Sequence, residues 1–87
     1  MPLHLLCKLT TTDTAATLAA LAEDAEDQSA AGLTRLQLWT EDSAAVWALF
    51  EVNDRAKAEG WLDRAVADTH GRRAHVTGSA AHFVKTA

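Results

Sequence analysis

Residues 35–52 read RLQLWTEDSAAVWALFEV and contain two alternating segments on either side of a polar break. A two-residue period gives each segment a second, partly polar face, which carries Arg35 and Gln37 in the first segment and Glu51 in the second. The polar break at Glu41-Asp42-Ser43 is typical of a turn. The stretch therefore predicts a β-hairpin with strands at Thr34–Thr40 and Ala45–Val52.

The segment before the hairpin predicts a strand followed by a helix. Apolar residues occupy every second position from Leu3 to Leu9, which indicates a first strand. Thr12 or Asp13 is a suitable cap for the helix that follows, and its apolar residues recur at helical spacing as far as Gln28. Gly32 is the expected stop signal.

The segment after the hairpin predicts a second helix. Asn53 or Asp54 is the expected cap, and His70-Gly71 is the expected end. Trp61 lies on the apolar stripe of this helix, so we expect it in the core.

The last segment is extended, with strands at Arg73–Thr77 and Ala81–Lys85 and a bulge, bend or change of partner at Gly78-Ser79-Ala80. The element order is β-α-β-β-α-β within one domain that spans residues 1–87. With right-handed crossovers, this order predicts an α+β, ferredoxin-like fold: a four-stranded antiparallel sheet with two helices on one face.

The predicted sheet has one face under the helices and one open face. The side chains expected under the helices are Leu3, Leu5, Cys7, Leu9, Leu36, Leu38, Val46, Ala48, Phe50, Val52, Ala74 and Val76. Those expected on the open face are His4, Leu6, Lys8, Arg35, Gln37, Trp39, Trp47, Leu49, Glu51, His75 and Thr77. Two tryptophans exposed beside two leucines form an apolar patch typical of an interaction site, so we expect a homodimer to cover it.

The segments Leu38-Trp39-Thr40 and Trp47–Asp54 resemble the hairpin and helix start of muconolactone isomerase-like members of the dimeric α+β barrel superfamily. As a pattern of elements, the resemblance covers nearly the whole chain. It implies two ferredoxin-like subunits packed sheet to sheet, with small-molecule pockets between sheet and helices or within the barrel. Isomerases, cofactor-independent monooxygenases, haem-degrading enzymes and polyketide cyclases share this architecture, so the resemblance leaves the chemistry open.

The open face supplies the candidate functional residues. The ligand-binding candidates are Arg35, Trp39, Trp47 and Glu51, and the catalytic candidates are His4 and His75, because imidazole titrates near neutral pH. The leading hypothesis is a small-molecule-binding or sensing domain. The alternatives are a cofactor-independent isomerase, cyclase or monooxygenase acting on a small anionic or aromatic substrate, held by Arg35 or Lys8, and a purely structural dimerisation module.

Composition and charge narrow the expected partners. The net charge is −4, from eight lysines and arginines against twelve aspartates and glutamates, so nucleic acid is not expected. No apolar run approaches the roughly 18 residues of a membrane span, and the first residues do not resemble an export signal, so we expect a cytoplasmic protein. The four histidines are not spaced as metal ligands, and we expect neither a metal nor another cofactor.

Overall fold

The computed structural model describes residues 3–42, 44–69 and 75–87, with the backbone alone for residues 65–69. Its elements are β1 (Leu3–Thr11), α1 (Thr14–Glu23), α2 (Ala25–Ala30), β2 (Leu33–Glu41), β3 (Ala45–Val52), α3 (Arg55–Thr69) and β4 (Val76–Lys85). The strands form one antiparallel sheet in the order β2-β3-β1-β4. The predicted α+β class with a four-stranded antiparallel sheet is confirmed, while the described residues form three helices where two were predicted.

The first predicted helix is divided at Asp24. It starts at the predicted cap, since the Asp13 carboxylate accepts a hydrogen bond from the Ala16 backbone N–H at 3.1 Å. At Asp24 the backbone leaves helical geometry, with φ −86° and ψ 7°. Its carboxylate accepts a hydrogen bond of 2.8 Å from the indole Nε1–H of Trp61 in α3. This contact joins the break between α1 and α2 to the third helix.

The core lies between the helices and one face of the sheet. Its main cluster consists of Leu5, Cys7, Ala31, Leu33, Ala48, Phe50, Val52, Ala58 and Trp61. Phe50 and Trp61 meet edge to face, with ring centroids 5.7 Å apart and an interplanar angle of 68°. Burial raises the pKa of the Cys7 thiol to about 12, so this side chain is a packing group and remains protonated at neutral pH. The predicted core position of Trp61 is confirmed.

A β-bulge in β2 changes which side chains share a face. Arg35 pairs with Phe50 and Gln37 pairs with Leu49, so Leu36 is the extra residue between them. Because Phe50 is in the core, Arg35 takes a register position on the covered side of the sheet. Leu36, expected in the core, is instead 47% exposed, so that expectation is wrong.

The last strand is continuous where the sequence predicts an interruption at Gly78-Ser79-Ala80. The ladder with β1 shifts between Thr10, which pairs with Gly78, and Thr11, which pairs with Val76. The irregularity therefore lies beside the glycine, and β4 continues to Lys85. The predictions for Ser43, His70, Gly71, Arg73 and Ala74 lie outside the described residues.

The described helices pack on the face that carries Leu5 and Phe50. The opposite face, which we call the open face, carries mostly half-buried or exposed side chains, such as Leu6, Trp39 and Leu49. Within the described part of the chain, no helix combines the length and the apolar character that crossing a membrane requires.

Candidate functional site

The open face is defined by residues that lie opposite one another across the four strands. They are Thr34, Gln37, Trp39 and Glu41 in β2; Ala45, Trp47, Leu49 and Glu51 in β3; His4, Leu6, Lys8 and Thr10 in β1; and Gly78, Ala80, His82 and Val84 in β4. Leu6 and Leu49 pair directly at its centre and are both half-buried. The centre is therefore apolar, with an aromatic end towards the β2–β3 turn and a more polar end opposite.

Four residues at the aromatic end form the tryptophan cluster: Lys8, Trp39, Glu41 and Trp47. Trp39 and Trp47 are direct cross-strand partners, as the hairpin pattern predicts. Trp47 donates its indole Nε1–H to Glu41 Oε1 at 2.8 Å. Lys8 Nζ lies 5.1 Å from the centroid of the Trp47 ring and 3.8 Å from Glu41 Oε1. The orientation of the Trp47 ring is therefore set by contacts within the chain.

The tryptophan cluster presents little net charge. Lys8, a candidate for holding an anionic substrate, already faces the carboxylate of Glu41. Since both side chains are substantially exposed, this ion pair contributes at most about 1 kcal/mol, but it balances the local charge. Trp39 is 45% exposed and makes no side-chain hydrogen bond with the described residues. The cluster is suited to an aromatic or apolar partner more than to a strongly anionic one.

The opposite end of the open face contains His4 and Glu51. These residues pair directly across β1 and β3, and His82 is the diagonal neighbour of His4 because His82 pairs with Leu6. Glu51 lies four positions along β3 from Trp47, a separation of about 13 Å. Two of the predicted site residues, His4 and Glu51, therefore come together, but at a distance from the tryptophan cluster.

The structure does not bring His4 and His75 together. His75 precedes β4 with a positive φ of 57°, and its carbonyl accepts a hydrogen bond from Thr11 Oγ1 at 3.1 Å. Thr11 Oγ1 also accepts a hydrogen bond of 2.8 Å from the buried Thr17 hydroxyl, which ties this corner to α1. His75 is thus held at the far end of β1 from His4, roughly 23 Å along the strand.

Arg35 is also separated from the other ligand-binding candidates. The bulge at Leu36 gives it a register position on the covered side, opposite Phe50, while Trp39 and Trp47 lie on the open face. Glu51 and Arg35 consequently do not face each other across the strands, and Lys8 is paired with Glu41.

Sequence reasoning missed two residues of the open face. The sequence pattern predicts a turn at Glu41, although Glu41 lies two residues after Trp39 on the same face and β2 extends through it. The possible bulge, bend or change of partner at Gly78 leaves the partner of His82 undetermined from sequence, whereas the continuous ladder places His82 opposite Leu6. The two-residue spacing from Trp39 is a sequence signal that places Glu41 on the same face. Placing His82 requires the alignment of β4 with β1, which the sequence does not give.

Among the described residues, no three histidine, cysteine, aspartate or glutamate side chains form a group able to hold a metal ion. The fold and the site define an α+β domain with an open, aromatic sheet face. Comparison with models of known protein families and with curated proteins found no match.

Proposed function

We propose that the chain is a ferredoxin-like subunit that forms a homodimeric α+β barrel through its open face and binds or senses a small molecule. The strand order supports the fold assignment. β3 lies between β1 and β2, and β1 lies between β3 and β4, so each strand-helix-strand crossover passes over one intervening strand. The likeness of the hairpin segment to dimeric α+β barrel proteins supports the sheet-to-sheet association.

The observation that carries the proposal is the exposed apolar surface of the open face. Trp39 is 45% exposed and Val84 is 41% exposed, with Leu6 and Leu49 half-buried between them. Monomeric proteins rarely leave a large apolar surface of this kind uncovered. Four strands at about 4.8 Å spacing and about eight residues at 3.3 Å give a face of roughly 500 Å² in projection. Because side chains project from the sheet, the accessible surface of this face is larger than its projected area and approaches the roughly 800 Å² per partner of a stable interface.

The ligand-binding part of the proposal rests on the tryptophan cluster. Trp47 is held in place by Glu41, and Trp39 has an exposed ring and an indole N–H that makes no side-chain hydrogen bond with the described residues. Between two sheets, these rings would form the wall of an apolar pocket with one hydrogen-bond donor. This supports an aromatic or apolar ligand of small size.

The enzymatic alternative has less support from the geometry. An isomerase, cyclase or monooxygenase needs a base close to its substrate. His4, beside Glu51, is the catalytic candidate that shares the open face, whereas His75 lies at the other end of β1. The binding function requires no such base, and we place it first.

The dimer is tested by substituting Trp39 with glutamate. Because Trp39 is nearly half exposed on an outer strand, Trp39→Glu should leave the subunit folded while placing a charge in the interface. Sedimentation velocity should then show half the mass of the wild-type protein at the same concentration. Ala19→Glu, at an exposed position of α1, adds the same charge on the helical side and should leave the mass unchanged. A folded Trp39→Glu with the same mass as the wild-type protein would refute the interface.

The ligand is tested by native mass spectrometry of protein purified under non-denaturing conditions. A retained small molecule that is lost in Trp39→Ala supports binding, and a dimer without any bound molecule supports the structural alternative. His4→Gln separates binding from catalysis. It should leave ligand affinity unchanged under the binding function, but an enzyme that uses His4 as its general base should lose about 10²- to 10⁴-fold in rate.

A further inference from the structure

The two outer strands of the sheet have very different edges. β2 is interrupted by the bulge at Leu36 and carries the charged residues Arg35 and Glu41, features that discourage pairing with another strand. In β4, the ladder with β1 is regular from Gly78 to Lys85. Between Gly78 and Val84 this strand has no proline, lysine, arginine, aspartate or glutamate.

The β4 edge is also accessible. Ser79, Ala80, Ala81 and His82 are all exposed, and β4 pairs on one side alone, with β1. The outward backbone N–H and C=O groups therefore have no ladder partner among the described residues. A regular, uncharged edge of this length is a template for the addition of another strand.

The order of side chains along β4 favours a second copy of the same strand. The first half, Gly78–Ala81, consists of small residues, and the second half, His82–Lys85, consists of larger ones. A two-fold axis normal to the sheet makes two β4 strands antiparallel and keeps their faces aligned. His82, Phe83 and Val84 of one copy can then each lie opposite a small residue of the other.

We propose that two copies of the chain join by antiparallel pairing of their β4 edges about a two-fold axis near Ala81. With the axis at Ala81, the opposed pairs are Val84 with Gly78, Phe83 with Ser79, and His82 with Ala80. Phe83 packs inward against the core cluster, so it does not obstruct the approaching strand. The result is one continuous sheet of eight strands.

Charge also directs the second copy to this edge. Each chain has a net charge of −4, so two copies repel each other over most of their surfaces. The uncharged stretch between Gly78 and Val84 is a region where close approach adds no further repulsion. This surface is distinct from the open face, and an assembly that used both would be a tetramer.

The substitution Ala81→Lys tests the edge without altering the open face. Ala81 is exposed and pairs with the core residue Cys7, so its register position is on the covered side of the sheet. At the proposed axis, Ala81→Lys places two like charges opposite each other, which destabilises a strand pair. Ala56→Lys, at an exposed position of α3, adds the same charge elsewhere and is the matched control.

Two measurements are needed. Sedimentation velocity should show a mass for Ala81→Lys that is half that of the wild-type protein and of Ala56→Lys at the same concentration. Hydrogen exchange of the outward amides of residues 79–84 should slow as the wild-type protein is concentrated, and should not do so in Ala81→Lys. Trp39→Glu should retain this concentration-dependent protection, which separates the edge from the open face.

The proposal is overturned if exchange of these amides in the wild-type protein is independent of concentration. This measurement requires no substitution, so it decides the question even if Ala81→Lys does not fold. Equal masses for the wild-type protein and a folded Ala81→Lys would overturn it as well.

Discussion

Replacing Trp61 with phenylalanine should destabilise the fold substantially, because Trp61 combines core packing with a hydrogen bond. Its side chain is 6% exposed and meets Phe50 edge to face. Its indole N–H is also donated to the Asp24 carboxylate at 2.8 Å, across the break between α1 and α2. Trp61→Phe retains one aromatic ring but removes this donor and part of the buried apolar surface.

The two effects of Trp61→Phe can be estimated separately. A hydrogen bond to a charged group contributes about 1.5–3 kcal/mol to stability. The smaller ring removes some buried surface and leaves a cavity, at a cost of about 1 kcal/mol. The free energy of unfolding should therefore fall by about 2.5–4 kcal/mol, a large part of the roughly 5–10 kcal/mol expected for a domain of this size. The matched change Trp39→Phe, at an exposed indole, should cost well under about 1 kcal/mol.

Urea unfolding followed by circular dichroism measures these costs, and a double-mutant cycle isolates the hydrogen bond. With a slope of about 1 kcal/mol per molar urea, Trp61→Phe should lower the midpoint by about 2.5–4 M. Asp24 makes further interactions, so the cost of Asp24→Ala alone is not that of the bond to Trp61. The coupling between the two substitutions should be about 1.5–2 kcal/mol. A coupling below about 0.5 kcal/mol would refute the stabilising role of this bond.

Two further predictions concern glycines and the buried thiol. Gly32→Ala should destabilise the fold by about 1–2 kcal/mol or more, because Gly32 has a φ of 73° and an added Cβ would lie 3.1 Å from the Asp54 backbone nitrogen. Gly60 lies within α3, and an added Cβ would have its nearest contact at 3.6 Å, so Gly60→Ala should stabilise the fold by about 0.5–1 kcal/mol. Urea unfolding should therefore show a lower midpoint for Gly32→Ala and a higher midpoint for Gly60→Ala. Burial raises the pKa of Cys7 from 9.0 to about 12, so the unfolded chain loses this proton first. Stability should fall between pH 9 and 12, and a stability–pH profile of Cys7→Ala should lack that component.

The covered faces of the two central strands, β1 and β3, could be predicted from sequence because large apolar residues mark the positions that are buried. Phe50 and Leu5 are fully buried and mark the covered face of β3 and β1 without ambiguity. The outer strands could not be assigned in the same way. Residues 35–39 alternate regularly, yet the pairing with β3 introduces a bulge at Leu36 that no local pattern indicates.

The part of the candidate site that lies within the hairpin could be predicted from sequence, and the part that depends on the last strand could not. Trp39 and Trp47 face each other because the hairpin turn determines their register. The separation of His4 from His75 depends on how the last strand aligns with β1, a contact between residues far apart in sequence. The hydrogen bond at the Asp24 break likewise joins residues far apart in sequence, because Trp61 lies in α3, with β2 and β3 in between.

The two ends of the open face differ in how well their side chains are ordered before any partner arrives. At the tryptophan cluster, Glu41 holds the Trp47 ring and also faces Lys8. At the other end, the side chains of His4 and Glu51 make no hydrogen bond or ion pair with the described residues. A partner that binds ordered side chains loses less conformational entropy, so equal contacts produce tighter binding there. We therefore expect the tryptophan cluster to contribute more to affinity than the end that carries His4.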